Sequence, residues 1–321
     1  MKIISSIVAA TLLAGCGAGL NPAPPATTVA DSSLSRPDAG VHVFTANRDN
    51  PGVLSFSNKA NGNVAPAHTI AGSKTKLNSP DALALDSKGN IYVANDGANT
   101  VQVFASNANG NVKPKRQIGG TKSQLGPTEG LTIDHSGNLW ASNYQGNAVT
   151  EYAAGAHGNV APIDTISGNK TQLATPVGMA IDKSGRLWVA NKGSSSVTAF
   201  ANGASGNVVP VVTISGNNTG LSGPFAIAFD STGRLLVADE GAGVFVFAKG
   251  ASGNVAPVQH ITGLLYPTGV TADAKDRIWA ADFSGNAIVE YAKNANGSAT
   301  PMRTIQGSST GLDAPCYIAL F

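Results

Sequence analysis

The sequence predicts an all-β fold, a six-bladed β-propeller of four-stranded antiparallel blades. Three observations point there: a 48-residue repeat, four short apolar runs in each full copy, and a spare innermost run at the C-terminal end. Asp86, Asp134, Asp182 and Asp230 lie 48 residues apart, and Asp273 follows after 43. Pro66, Pro114, Pro162 and Pro210 keep the same step, and Pro257 and Pro301 follow after 47 and 44. Self-similarity at a period of about 40–50 residues marks a stacked or radial array.

Residues 178–225 show the unit most clearly. Its runs are 178–182 (GMAID), 187–191 (LWVAN), 197–201 (VTAFA) and 210–216 (PVVTISG). Runs this short, bounded by Gly, Asn, Asp and Pro, read as strands rather than helices. Runs one and two are joined by Asp-x-x-Gly in four copies, at Asp86, Asp134, Asp182 and Asp230. Asp first and Gly last is a type I turn signature. Four strands joined by short turns make one antiparallel sheet, which is one blade.

Each run occurs six times. The sixth copy of run one is residues 317–321, the end of the chain, whereas the first blade begins at run two. The C-terminus is therefore expected to supply the innermost strand of the first blade. That closure removes the free sheet edge that invites aggregation.

The side chains suit this geometry. Trp140, Trp188 and Trp279 share one repeat position, with Phe44, Tyr92 and Leu236 completing a ring. Phe56, Phe104, Tyr152, Phe200, Phe247 and Tyr291 form a second. Run one carries Ala or Thr at its middle: Ala84, Thr132, Ala180, Ala228, Thr271 and Ala319. Inner strands crowd near an axis while blades splay apart outside it, so small residues belong inside and large rings between blades. Both aromatic rings are expected to be interblade core, each member contributing roughly 1.5–3 kcal/mol by burial.

Lys2, a run of about ten apolar residues and Leu13-Ala14-Gly15-Cys16 resemble a bacterial lipoprotein signal. The resemblance implies cleavage after residue 15 and acylation of Cys16. Gly17, in place of Asp, implies an outer-membrane or cell-surface location on the periplasmic side. Residues 16–39, rich in Gly, Pro, Ala, Ser and Thr, read as a disordered tether, and 40–321 as one propeller domain. The formal charge of +2 drops to +1 without Lys2, and no basic patch is interleaved with aromatics, which argues against nucleic acid. With Cys16 acylated, Cys316 has no intrachain partner, and a buried position is expected for it. A monomer is expected.

The pattern P-x-G-[IL]-A-[IL]-D-x-x-G-x-[LI]-[YW]-V-A-[ND], as in Pro176-Val177-Gly178-Met179-Ala180-Ile181-Asp182 followed by Leu187-Trp188-Val189-Ala190-Asn191, resembles the NHL repeat. The resemblance covers residues 40–321. It implies a six-bladed ring, a fold used by partner-binding modules, lactonases and lyases alike, so it implies no single function.

In such rings the loops before run one and after run two share one face around the channel. Lactonases of the gluconolactonase type place metal-binding carboxylates just before run one, where this chain has Asp81 and Glu129. These come from adjacent blades and are the candidate ligands for calcium or magnesium, since hard divalent cations prefer carboxylate oxygens. Val177 and Phe225 stand opposite, and the family's distant Asn has no match. No other cofactor is expected. A second ring, at the end of run two, comprises Asn47, Asn95, Asn143, Asn191, Asp239 and Asp282. It is a candidate ligand-facing ring at the channel mouth, although Asx side chains also cap turns by bonding backbone two residues on. The five His residues fall at different repeat phases, and no G-x-S-x-G, H-E-x-x-H or Walker motif occurs, so no catalytic residue is assigned. Besides a structural envelope protein with no small ligand, two function classes remain. One is a non-catalytic, membrane-tethered propeller that binds a protein or glycan through the face carrying Asp81, Asp96, Glu129, Tyr144, Lys192, Glu240 and Phe283. The other is a metal-dependent lactonase or lyase centred on Asp81 and Glu129.

Overall fold

The computed structural model describes residues 42–321. The stretches expected to be a signal segment and a tether, with Cys16 between them, lie outside the described residues. From residue 42 on, the chain forms six four-stranded antiparallel sheets.

Blade 1 contains β1 (His42–Asn47), β2 (Gly52–Ser57) and β3 (His68–Ala71). Blade 2 follows as β4 (Pro80–Leu85), β5 (Ile91–Asn95), β6 (Thr100–Phe104) and β7 (Arg116–Gly119). Blade 3 is β8 (Leu131–Ile133), β9 (Leu139–Asn143), β10 (Ala148–Tyr152) and β11 (Asp164–Ser167). Blade 4 is β12 (Pro176–Ile181), β13 (Leu187–Asn191), β14 (Ser196–Phe200) and β15 (Val212–Ile214). Blade 5 is β16 (Pro224–Phe229), β17 (Leu235–Asp239), β18 (Gly243–Phe247) and β19 (Gln259–Ile261). Blade 6 is β20 (Pro267–Ala272), β21 (Ile278–Asp282), β22 (Ala287–Tyr291) and β23 (Arg303–Gln306). The last strand, β24 (Pro315–Leu320), pairs antiparallel with β1 and completes blade 1. Closure by the C-terminal strand is thus observed. The strand begins two residues earlier than the run pattern indicates, and Phe321 continues the pairing through two backbone hydrogen bonds with His42. Each innermost strand touches the innermost strands of both neighbouring blades, β24 meeting β4 on one side and β20 on the other.

The fourth strands differ from expectation. The runs open on proline, but each strand starts two residues after it. Proline has no N–H to donate to the ladder. The next residue makes the first bond instead, as in Val211 N–H to Ala199 O at 2.8 Å and Met302 N–H to Glu290 O at 2.7 Å. The Asp-x-x-Gly turns close as the sequence indicates, with Gly89 donating to Asp86 O at 2.8 Å and Gly185 to Asp182 O at 2.9 Å. In the fifth copy Asp276 replaces the glycine and takes the left-handed conformation, φ 59°.

Both aromatic rings lie in the core, with Phe44 half-buried at its edge. Every member of the second is at most 3% exposed, and Trp279 is fully buried. Neighbouring blades are also joined at their outer edges. Each fourth strand forms a parallel bridge to the next blade, such as Ile118 to Gly158 and Ile305 to Gly62 across the closure. The recurrent Gly-Asn-Val of the repeat supplies a second link. Asn111 accepts from Lys74 N–H, Asn159 from Lys122 N–H and Asn207 from Lys170 N–H, at 2.7 to 2.8 Å, each one blade back. Asn63 makes the same bond to Ser309 N–H across the closure, at 2.6 Å.

Candidate functional site

One residue stands at the start of each innermost strand, second within it in five blades and just ahead of β8 in blade 3, and one residue follows each second strand. In blade order the first ring is Cys316, Asp81, Glu129, Val177, Phe225 and Thr268; the second is Arg48, Asp96, Tyr144, Lys192, Glu240 and Phe283. Because both positions lie at the same end of the blades, these residues surround one mouth of the channel. Several of them line a cavity of about 240 Å³, with Glu129, Arg48 and Cys316 on one side and Phe225, Tyr266 and Phe283 on the other. Repeat symmetry places the residues, and sequence divergence gives the lining acids and bases on both sides and its aromatic rings on one.

On the ionic side, ligand atoms of Asp81, Asp96 and Glu129 all lie within 4.8 Å of one another. The Asp81 side chain is completely buried, and Arg48 Nη1 lies 2.9 Å from its Oδ2. Arg48 Nη2 is 3.9 Å from Asp96 Oδ2, so one guanidinium stands between two carboxylates. Besides Arg48, the Cys316 thiol hydrogen-bonds the Asp81 carboxylate. Burial pushes the Asp81 carboxyl up to about 6 despite the opposing pull of Arg48. Burial, reinforced by the charge of Asp81, pushes Glu129 up to about 7. Asp96 is also raised, chiefly by burial. For Arg48 burial works toward a lower value, but Asp81 and the other acidic neighbours outweigh it and hold the guanidinium above its ordinary value. The Cys316 thiol is raised well above its ordinary value by burial and by Asp81, which keeps it protonated.

Across the cavity, Lys192 Nζ contacts Glu240 Oε2 at 2.7 Å and sits 5.4 Å from the centre of the Phe225 ring. The Tyr266 and Phe283 rings are 5.8 Å apart. Tyr266 is raised by burial and by its hydrogen bond with Glu240.

One residue deeper, Tyr317 departs from the repeat. Its counterparts are Ala82, Gly130, Gly178, Ala226 and Gly269. Tyr317 takes the left-handed conformation, φ 50°, at the bulge where β24 slips register against β1. Its ring lies 5.7 Å from that of Phe225 and its hydroxyl donates to Phe225 O at 3.5 Å. A Cβ added to Gly178, in the opposite blade, would sit 3.1 Å from the Tyr317 hydroxyl. The tyrosine therefore crosses the axis and blocks the channel below the cavity. The mouth is a blind pocket, not the entrance of a pore.

Of the residues singled out in the sequence, Asp81 and Glu129 do come together, and Asp96 joins them. The Asx ring does not line the cavity. Its side chains hold the loop that precedes the innermost strand. Asp239 accepts from Ser222 N–H at 2.8 Å and Gly223 N–H at 3.0 Å, and Asp282 from Leu265 N–H at 3.0 Å and Tyr266 N–H at 2.9 Å. Asn47 bonds Asp313 N–H and Asn95 bonds Asn78 N–H in the same manner. Asn191 reaches Ala174 N–H at 3.3 Å, while Asn143 Nδ2 donates to Gln124 O, also at 3.3 Å. These are stitches across 16 to 19 residues in sequence for the intrablade pairs, and Asp239 also makes the expected local cap, accepting from Gly241 N–H two residues on at 3.3 Å. Arg48, Tyr266 and Tyr317 were not among the sequence candidates. Arg48 could have been found, because it precedes Asp96 by one repeat of 48 residues. Tyr317 carried a signal too, as the one bulky residue at a Gly/Ala position.

No protein-family model matches the chain, and no curated protein matches it. Solved structures do. The propeller is similar to a chain in a nidogen/laminin complex, with a TM-score of 0.63 and 16% identity over 88% of this chain and 98% of that one. It is similar to a streptogramin B lyase, with a TM-score of 0.54 and 17% identity over 90% of both chains. A putative 6-phosphogluconolactonase from Bacteroides uniformis gives 0.58 and 13% identity, over 90% of this chain and 87% of that one. At these identities the likeness establishes the six-bladed fold and leaves activity open.

Proposed function

We propose that this protein is a non-catalytic binding propeller, held at the cell envelope by lipid on Cys16, that seats one group of a protein or glycan partner in its channel mouth. The observation that carries this reading is the blind pocket of about 240 Å³ whose lining combines charged side chains with the rings of Phe225, Tyr266 and Phe283. Recognition pockets pair an apolar lining with a few fixed polar groups in this way. The volume suits a side chain or a single sugar rather than a large substrate. Cys316, which lines the pocket, is held protonated by burial and by Asp81, which is the opposite of an activated nucleophile. The aromatic wall supplies contact area whatever the partner is. Phe283→Ala should therefore abolish partner capture from envelope extracts while leaving the thermal unfolding midpoint within a few degrees (about 1 kcal/mol or less for a rim residue). Capture that survives this change and charge reversal of Glu129 and Glu240 would overturn the reading.

A second reading, a metal-dependent lactonase or lyase, draws on the three carboxylates within 4.8 Å. Oxygen ligands of this kind fit calcium or magnesium. Arg48, however, places a fixed positive charge against Asp81 and leaves Glu129 as the carboxylate without an ion pair among the described residues. Turnover of a lactone panel that depends on added calcium or magnesium, and that Asp81→Asn removes, would favour this reading over the first.

A further inference from the structure

We propose that the occupant of the pocket is an organic cation, an ammonium or guanidinium group on a short apolar stem such as a lysine or arginine side chain presents. This inference rests on the binding reading above and names the chemistry of what is bound.

Charge balance leads there first. Four carboxylates border the mouth, Asp81, Asp96, Glu129 and Glu240, against two cations, Arg48 and Lys192. Arg48 serves Asp81 and Asp96, and Lys192 serves Glu240. Glu129 lines the cavity and makes no close ion pair among the described residues, Lys192 and Arg48 acting on it only at longer range. Beside it lies the buried Asp81 carboxylate, held by Arg48 and the Cys316 thiol. A carboxylate that is largely desolvated beside a second one is costly to ionise, and an entering positive charge relieves that cost. The upward displacement of both acids has the same cause.

The opposite wall selects the kind of cation. A hydrated divalent ion needs several oxygens and gains nothing from aromatic rings. An ammonium or guanidinium gains from ring faces, and its stem gains from apolar contact. The molecule already builds this arrangement once from its own residues, where Lys192 lies over Phe225 with Glu240 as counter-ion. Glu129 lines the same cavity as Tyr266 and Phe283, so the acidic and aromatic halves are again present, and the cation is the missing third part. Because Tyr317 blocks the axis, such a group enters by its end and stops.

The test is titration calorimetry of the purified protein at pH 8 with n-butylguanidinium, n-butylamine, butyrate, methyl glucoside and calcium as separate probes. A parallel arm uses two short peptides that differ only by Arg or Ala at the centre. Saturable binding of either cation, with butyrate and the glucoside inert, supports the proposal. Glu129→Gln should then weaken the cation by about tenfold or more, the loss of one charge-assisted contact. Tighter binding of the Arg peptide than of the free cation assigns the source to a partner protein; the reverse assigns it to a free small molecule. The proposal is overturned if neither cation binds, if Glu129→Gln leaves their affinity unchanged, or if calcium binds and excludes them. Binding of methyl glucoside alone overturns the occupant and leaves the pocket reading standing, whereas capture that survives both Phe283→Ala and charge reversal of Glu129 and Glu240 removes the reading itself.

Discussion

Glu129 concentrates the physics of the mouth in one side chain. Its carboxyl is raised to about 7, above an ordinary value near 4.5, because burial and Asp81 both disfavour the charge. Between those two values the folded state binds more protons than the unfolded state. Stability contributed by the protonated group is therefore present in full below about pH 4 and is lost as pH rises through about 7. Asp81, raised to about 6, acts in the same direction. Replacing Glu129 by Gln removes one titrating group without removing an ion pair. The thermal midpoint of the variant should exceed that of the parent at pH 8 and match it at pH 4; a variant less stable at both pH values would contradict this account. A residue that costs stability at neutral pH is more readily explained by binding than by folding. On the opposite side of the wheel the acids behave conversely. Burial works against the Asp182 carboxylate, but Trp188 Nε1–H at 2.8 Å and Arg186 outweigh it, so the group titrates below its ordinary value and helps hold the turn.

The innermost strand is the element in which architecture and site meet. Five of the six slip register just past the position that faces the mouth. Bulges of this kind bend a strand and re-aim its side chains. Close approach at the axis requires glycine there. A Cβ on Gly178 would lie 2.3 Å from Phe225 O and 2.7 Å from Ala226 Cα, and both are backbone atoms that cannot rotate away. Gly178→Ala should therefore destabilise the protein by roughly 1–3 kcal/mol or more, read as a lower urea midpoint at unchanged slope. Gly203→Ala is the control, since nothing lies within 4 Å of its added Cβ and only its backbone conformation, φ 72°, opposes the change. Tyr317 exploits the room that glycines leave. It crosses to blades 4 and 5 because Gly178 faces its hydroxyl and Gly269 packs against its backbone.

At the scale of the whole molecule, β24 turns a row of repeats into a wheel. It pairs with β1 along the strand and touches the inner strands of blades 2 and 6. The Asn63 and Gly62 links to blade 6 add a second seam at the outer edge. Deleting residues 315–321 would expose the inner edge of β1, open the ring and remove both Cys316 and Tyr317 from the mouth. The truncated chain should unfold at a much lower temperature in one broadened transition, with loss of the near-ultraviolet signal of the interblade aromatics. A transition coincident with that of the full chain would show that the closing strand contributes little.

Six blades, the strand menu of each, the aromatic core and the identity of the closing strand were all legible in the chain, because each depends on short-range pattern repeated six times. Apolar spacing, turn residues and repeat register are properties of a linear string. The pairing of Asp81 with Glu129 was legible for the same reason, as positions one repeat apart must fall on adjacent blades. The ion pair of Arg48 with Asp81, the stitching role of Asn95 and Asp239, and the blocked axis at Tyr317 were not. Each joins residues from different blades or loops through side-chain direction, and direction is set by how strands bend and bulge as the ring closes. The repeat thus specifies the frame, whereas the chemistry of the mouth arises where six divergent copies are brought around a common axis.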